Sequence, residues 1–172
     1  MSNIRTQFQT ISLIGMPGVG KSTVGVILAK LIGLEFTDTD LSIQARESRT
    51  LQDIVDNDGY LHLRSIEEAV LLSEPINGRV LATGGSVIYS EAIMQRLRAA
   101  GPVVYLRADV ATLLRRVAAN PERGIASGAD QSFEDIYNER TPLYERFASH
   151  TVDAVGGSAD AIASVIVQEL YS

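Results

Sequence analysis

Apolar and polar positions divide this chain into short apolar runs and longer helical stripes. Residues 11–14, 35–38, 79–82, 103–106 and 151–155 read as five short strands. The run Val103-Val104-Tyr105-Leu106 has the near-continuous apolar character of a strand buried on both faces. Between the strands the period changes to that of a helix. From Lys21 onward, Val24, Ile27, Leu28 and Leu31 fall on one helical face, and Gly33 stands where a C-cap glycine belongs. Residues 41–72 carry no strand pattern and read as two or three helices, interrupted near Arg49-Thr50 and Asp58-Gly59.

Further along, Ser90 reads as the N-cap of a helix ending near Ala100. Asp109 caps the next helix, with Val110, Leu113, Leu114 and Val117 on one face. Ser132 and Asp135 have capping-box spacing, and their helix is expected to end or kink near Pro142. A closing helix over 158–170 carries Ile162, Val165 and Ile166. Residues 120–131, with Pro121, Gly124 and Gly128 and no periodicity, read as a mobile loop.

Strands alternating with helices predict an α/β fold: a doubly wound, three-layer architecture around a five-stranded parallel sheet. The 172 residues make one domain, with a helical insert at about 41–72 and a lid at about 120–131. Ligands of such sheets bind beyond the carboxyl ends of the strands. The segments that follow strands one, two and three are also the ones that carry chemistry.

The first of them, Gly15-Met16-Pro17-Gly18-Val19-Gly20-Lys21-Ser22-Thr23, fits the phosphate-binding P-loop pattern. Its glycines permit a tight turn whose N–H groups converge on an anion. The helix that follows adds unpaired N–H groups and the positive end of its dipole. Lys21 can reach the β- and γ-phosphates, and the Ser22 hydroxyl can ligate Mg²⁺.

Strand two ends in Asp38-Thr39-Asp40. One carboxylate can hold a magnesium ion and the other can orient an acceptor hydroxyl; alternatively Asp40 is a helix N-cap. Gly84-Gly85 can present N–H groups to a substrate or form an ordinary turn. Arg64 has Glu67 and Glu68 at i+3 and i+4, so a solvated ion pair competes with a ligand role. Arg140, Arg123 and Arg116 each stand between the same two readings.

Composition narrows the function classes. A net charge of −6 argues against a broad nucleic-acid surface and confines any anion site to a few cations and backbone dipoles. With no cysteine, disulfides and thiol catalysis are excluded. His62 and His150 lie far apart in sequence, so no His/Cys metal cluster is available. No apolar run is long enough to span a bilayer, and residues 1–9 lack a signal-peptide core, so a cytoplasmic location is expected.

Taken as a series, the chain resembles the shikimate kinase family of small P-loop NTPase-fold kinases from residue 11 to about 170. The P-loop and Asp38-Thr39-Asp40 come first, then Asp58-Gly59 with Leu63-Arg64-Ser65-Ile66-Glu67-Glu68. Ala82-Thr83-Gly84-Gly85, Val104-Tyr105-Leu106, Arg115-Arg116 and Glu139-Arg140-Thr141-Pro142-Leu143-Tyr144 complete the match. The resemblance implies ATP-dependent phosphorylation of the 3-hydroxyl of shikimate, a step of aromatic amino acid biosynthesis, with ATP and Mg²⁺. It further implies a monomer acting on a small carboxylate, with no nucleic-acid or membrane partner.

By the same resemblance, Lys21, Asp40 and Arg123 are catalytic. Gly15, Gly18, Val19, Gly20, Lys21, Ser22, Thr23 and Arg116 hold the nucleotide. Ser22 and Asp38 hold the metal. Asp40, Arg64, Gly84, Gly85 and Arg140 bind the acceptor, with the two arginines gripping its carboxylate. Three departures gather around the acceptor. Ser86 replaces a third glycine, the lid reads Arg123-Gly124-Ile125-Ala126, and Val55 and Leu63 stand at positions that are aromatic in the family. The alternatives are a paralogous kinase of another small hydroxy-acid and a nucleotide-binding regulatory module without acceptor turnover.

Overall fold

The computed structural model describes residues 10–119 and 130–172. In chain order these form β1 (Thr10–Ile14), α1 (Lys21–Ile32), β2 (Glu35–Asp38), α2 (Thr39–Glu47), α3 (Leu51–Asp58) and α4 (Tyr60–Ser73). There follow β3 (Arg79–Ala82), a 3-10 turn (Val87–Tyr89), α5 (Glu91–Ala100), β4 (Val103–Arg107), α6 (Val110–Ala118), α7 (Phe133–Phe147), β5 (His150–Asp153) and α8 (Ala159–Tyr171). The five strands are all parallel, in the order β2-β3-β1-β4-β5. The helical insert is the three helices α2, α3 and α4, broken where the sequence pattern breaks.

Helices cover both faces of the sheet, and the pleat shows which. Leu13 of β1 lies 3.4 Å from where a Cβ on Gly25 of α1 would stand. The next position, Ile14, is in register with Tyr105 of β4, which stacks on Tyr144 of α7 with ring centroids 5.1 Å apart. Successive strand residues point to opposite faces, so α1 and α7 sandwich the sheet. β1 lies between β3 and β4, and every one of its residues is buried.

Caps fix most helix ends as the sequence implies. Gly33 ends α1 in the left-handed conformation and donates its N–H to Ala29. Ser90 and Asp109 accept from Ile93 and Thr112, and Ser132 with Asp135 forms a reciprocal capping box. One cap differs. Asp38, not Asp40, is the N-cap of α2, accepting from the N–H groups of Asp40 and Leu41. The strand therefore ends at Asp38, and Asp40 belongs to the first helical turn.

The other differences concern helix faces and one proline. Leu31 is 53% exposed, while Val24, Leu28 and Ile32 are buried. A Cβ on Gly25 would lie 2.7 Å from Phe36, so α1 approaches β2 through Gly25 and turns Leu31 outward. Leu114 and Val165 are likewise exposed. α7 runs through Pro142 to Phe147. Proline in a helix interior costs ~3 kcal/mol, but burial of Arg140, Tyr144 and Phe147 on either side holds the helix in place.

The described residues form two apolar clusters. The larger surrounds the sheet. The smaller belongs to the insert and comprises Ile43, Leu51, Ile54, Leu63, Ile66 and Val70. Val70 and Leu71, neighbours on α4, belong to different clusters.

Candidate active site

The strand order reverses beside β1, and the P-loop leaves β1 at that point. A hollow of about 220 Å³ opens there, lined by Lys21, Ser22 and Thr23 from the P-loop side and Asp38 and Asp40 from the end of β2. Glu67, Gly84, Gly85, Ser86 and Arg140 complete its lining on the other side. Residues from five separate segments thus meet at the carboxyl edge of the sheet, where the alternation of strands and helices requires a ligand site.

The P-loop is built for a close ligand. Gly15 has φ 149°, and a Cβ there would lie 2.7 Å from the Leu106 carbonyl. Gly20 caps α1 with φ 103° in open space, so its backbone faces the hollow without a side chain in the way. Lys21 is 8% exposed and donates to the carbonyls of Gly15 and Met16 at 2.6 and 2.9 Å. Its ammonium is held beside the loop it serves.

Ser22 donates its hydroxyl to Asp38 Oδ2 at 2.5 Å, while Asp38 Oδ1 accepts the Asp40 N–H at 2.9 Å. A hydroxyl and a carboxylate brought together are a hard-oxygen donor pair, which suits a divalent cation that keeps most of its water. Among the described residues no group of three or more His, Cys, Asp or Glu forms a closed metal cage.

The nucleotide side extends past the hollow. Gly20 and Thr23 also line a second, shallower hollow of about 170 Å³ with Gly18, Val19 and Arg116. Arg116 donates to the carbonyls of Val19 and Ala154, both at 3.1 Å, which fixes its guanidinium beside the loop. A flat guanidinium in this position can stack on a base.

On the acceptor side, a Cβ on Gly84 would overlap Glu67 Oε2 and lie 3.1 Å from Asp40 Oδ1. The Gly84 N–H goes to Thr39 Oγ1 at 3.2 Å, so what Gly84 offers the hollow is close approach rather than that donor. Gly85 lines the hollow, and its carbonyl accepts the Tyr144 hydroxyl. Arg140 is 1% exposed and opens onto the same hollow. Arg64 lies in the adjoining outer hollow. Both guanidiniums lie near one ring: the Arg64 carbon is 3.9 Å and the Arg140 carbon 5.5 Å from the Tyr89 centroid. Arg123 lies outside the described residues, as does most of the expected lid.

Glu67 is the residue that sequence reasoning misassigned. Its spacing from Arg64 suggests a surface ion pair, yet it is 4% exposed and accepts the Ser86 hydroxyl at 2.8 Å. Burial, and then the neighbouring Asp40, push its carboxyl up to about 7, against the opposing pull of Ser86, Arg140 and Lys21. The signal was present in the pattern. Glu67 lies on the stripe of Leu63, Val70 and Leu71, all buried, which is the inward face of α4.

A shikimate kinase family model matches residues 17–171. Shikimate kinase 2 of Sodalis glossinidius is 36% identical over 168 residues, covering 95% of this chain and 96% of that protein. A shikimate kinase of Halorhodospira halophila is 38% identical over 165 residues, covering 93% and 92%. Among solved structures, shikimate kinase from Acinetobacter baumannii in complex with shikimate superposes with a TM-score of 0.86 at 33% identity, covering 95% of this chain and 93% of that one. With a family model over residues 17–171 and relatives 36% and 38% identical along nearly the whole chain, this protein belongs to the shikimate kinase family.

Proposed function

We propose that this protein transfers the γ-phosphoryl group of ATP to the 3-hydroxyl of shikimate. One observation carries the reading: Lys21, the Ser22–Asp38 pair, Asp40 and Arg140 line a single hollow. Phosphate chemistry and carboxylate recognition are therefore within one small molecule of each other.

In this reading the P-loop amides and Lys21 bind the β- and γ-phosphates. Ser22 and Asp38 would hold Mg²⁺, which when bound supplies charge neutralisation to the phosphoryl oxygens. Asp40 orients the acceptor hydroxyl and receives its proton as the new O–P bond forms and the bond to the ADP oxygen breaks. Arg140 and Arg64, both beside the Tyr89 ring, take the acceptor carboxylate through their planar forks. Gly84 and Gly85 form the wall against which the acceptor lies. Arg116 flanks the adenine, and Arg123 reaches the phosphates from a lid at about 120–131. Catalysis is positioning and electrostatics, since phosphoryl transfer asks little covalent work of the protein.

The reading carries with it a single-domain, monomeric, cytoplasmic enzyme without nucleic-acid or membrane partners. Among the described residues no helix is long and apolar enough to cross a membrane. A coupled ADP-release assay with shikimate and a panel of other hydroxy-acids, with and without Mg²⁺, tests it. Magnesium-dependent turnover of shikimate is expected. Leu63 and Ser86 line the hollow and depart from the family pattern, which favours one second reading. Turnover of another hydroxy-acid and none of shikimate would replace the first reading with that one.

A further inference from the structure

Two side chains, Glu67 and Ser86, line both the inner hollow and the outer one. The outer hollow, about 570 Å³, includes Arg64, Glu68 and Tyr89. Ser86 is 5% exposed, and its backbone is set by the 3-10 turn, where its carbonyl accepts the Tyr89 N–H at 3.1 Å. Its hydroxyl holds Glu67 Oε1 at 2.8 Å, while Glu67 Oε2 lies against Gly84 beside Asp40. One oxygen of this buried carboxylate is therefore held by a donor, and the other occupies space that a side chain at Gly84 would fill.

We propose that Ser86 is a positioning residue for the acceptor half of the site: its hydroxyl pins Glu67 as the wall between the two hollows and keeps that carboxylate facing the acceptor. A hydrogen bond from a neutral donor to a buried carboxylate favours the ionised form and fixes its direction. Without the hydroxyl, Glu67 takes up a proton or swings toward Arg64 in the outer hollow. Either change takes from the wall a fixed carboxylate that can accept hydrogen bonds from the hydroxyls of the acceptor.

The groups around Glu67 define its titration. Asp40 of α2 faces it and opposes ionisation, while Lys21 of α1 and Arg140 of α7 favour ionisation. Arg64 and Glu68 of α4 and Tyr89 share the outer hollow with it. α3 and α5 contribute only the apolar Leu51 and Ile93 to the two hollows. Ser86 is thus the neutral group in this set that acts on Glu67 by hydrogen bonding.

The kinetic consequence rests on the phosphoryl-transfer reading, whereas the titration does not. Carboxylate ¹³C NMR of the full-length protein, without substrate, follows Glu67 in wild type, Ser86→Ala and Ser86→Thr, with Glu67→Gln assigning the resonance. The midpoint is expected to rise by about one pH unit in Ser86→Ala and to return in Ser86→Thr. In parallel, KM for the acceptor is expected to rise about tenfold in Ser86→Ala, with KM for ATP unchanged. A Glu67 midpoint that is the same in Ser86→Ala and wild type overturns the proposal. Wild-type protein that transfers phosphate to no acceptor overturns the reading of function instead, and the titration then still decides the role of Ser86. Ser86→Gly serves the same comparison if Ser86→Ala folds poorly.

Discussion

Tyr144 donates its buried hydroxyl to the Gly85 carbonyl at 2.5 Å, and the same oxygen lies 4.0 Å from the Met16 sulfur. One phenol on α7 therefore touches both the P-loop, at Met16, and the loop after β3, at Gly85. Tyr144→Phe leaves the Gly85 carbonyl without this donor in a buried site, which costs about 1–3 kcal/mol. Urea unfolding should report that loss, and steady-state kinetics a larger rise in acceptor KM than in ATP KM. Unchanged values in both measurements would show that the hydrogen bond positions nothing.

Lys21→Met keeps a straight aliphatic stem and removes the ammonium. Turnover should fall by about 10²–10³, the scale of losing one charge-stabilising donor to the transition state. Circular dichroism should remain that of the wild type. Near-normal turnover would contradict the phosphate-cradle role.

Arg140→Lys replaces a planar fork by a point charge at a site that is almost fully buried. KM for a carboxylate acceptor should rise about tenfold or more, with a much smaller effect on ATP. An unchanged acceptor KM would remove Arg140 from the carboxylate clamp.

Glu67 makes stability depend on pH in a definite direction. Its carboxyl is raised from 4.5 to about 7 in the folded state. The protonated form is therefore the one that folding favours. This contribution is fully present below the unfolded value near 4.5 and is lost as pH rises through about 7. The full difference is of the order of 3 kcal/mol. Glu67→Gln, neutral throughout, should gain stability relative to wild type between pH 5 and about 7.5 in thermal melts. A constant difference across that range would show that Glu67 titrates normally.

Much of this molecule was legible before any coordinates. The P-loop, the five strands and the breaks within the insert are local signals, and local signals survive folding. The misread positions depend on what lies opposite. Leu31 looked inward until Gly25 brought α1 down onto Phe36 and rotated that face away. Of the end or kink expected near Pro142, the end does not occur: α7 continues through the proline, with Arg140 and Tyr144 buried on either side of it. Glu67 looked solvated because charge spacing along a helix carries no information about the neighbouring element. Asp38 and Asp40 read as the end of one strand, yet they line one hollow from a strand end and a helical turn.

The two separate apolar clusters have a consequence for how this chain can change over time. Substitutions among Ile43, Leu51, Ile54, Leu63, Ile66 and Val70 reshape the wall of the acceptor hollow while the sheet and the P-loop keep their own packing. The two halves of the enzyme are thus free to diverge at different rates. A lineage can explore new acceptors through the insert and still inherit an unaltered engine for spending ATP.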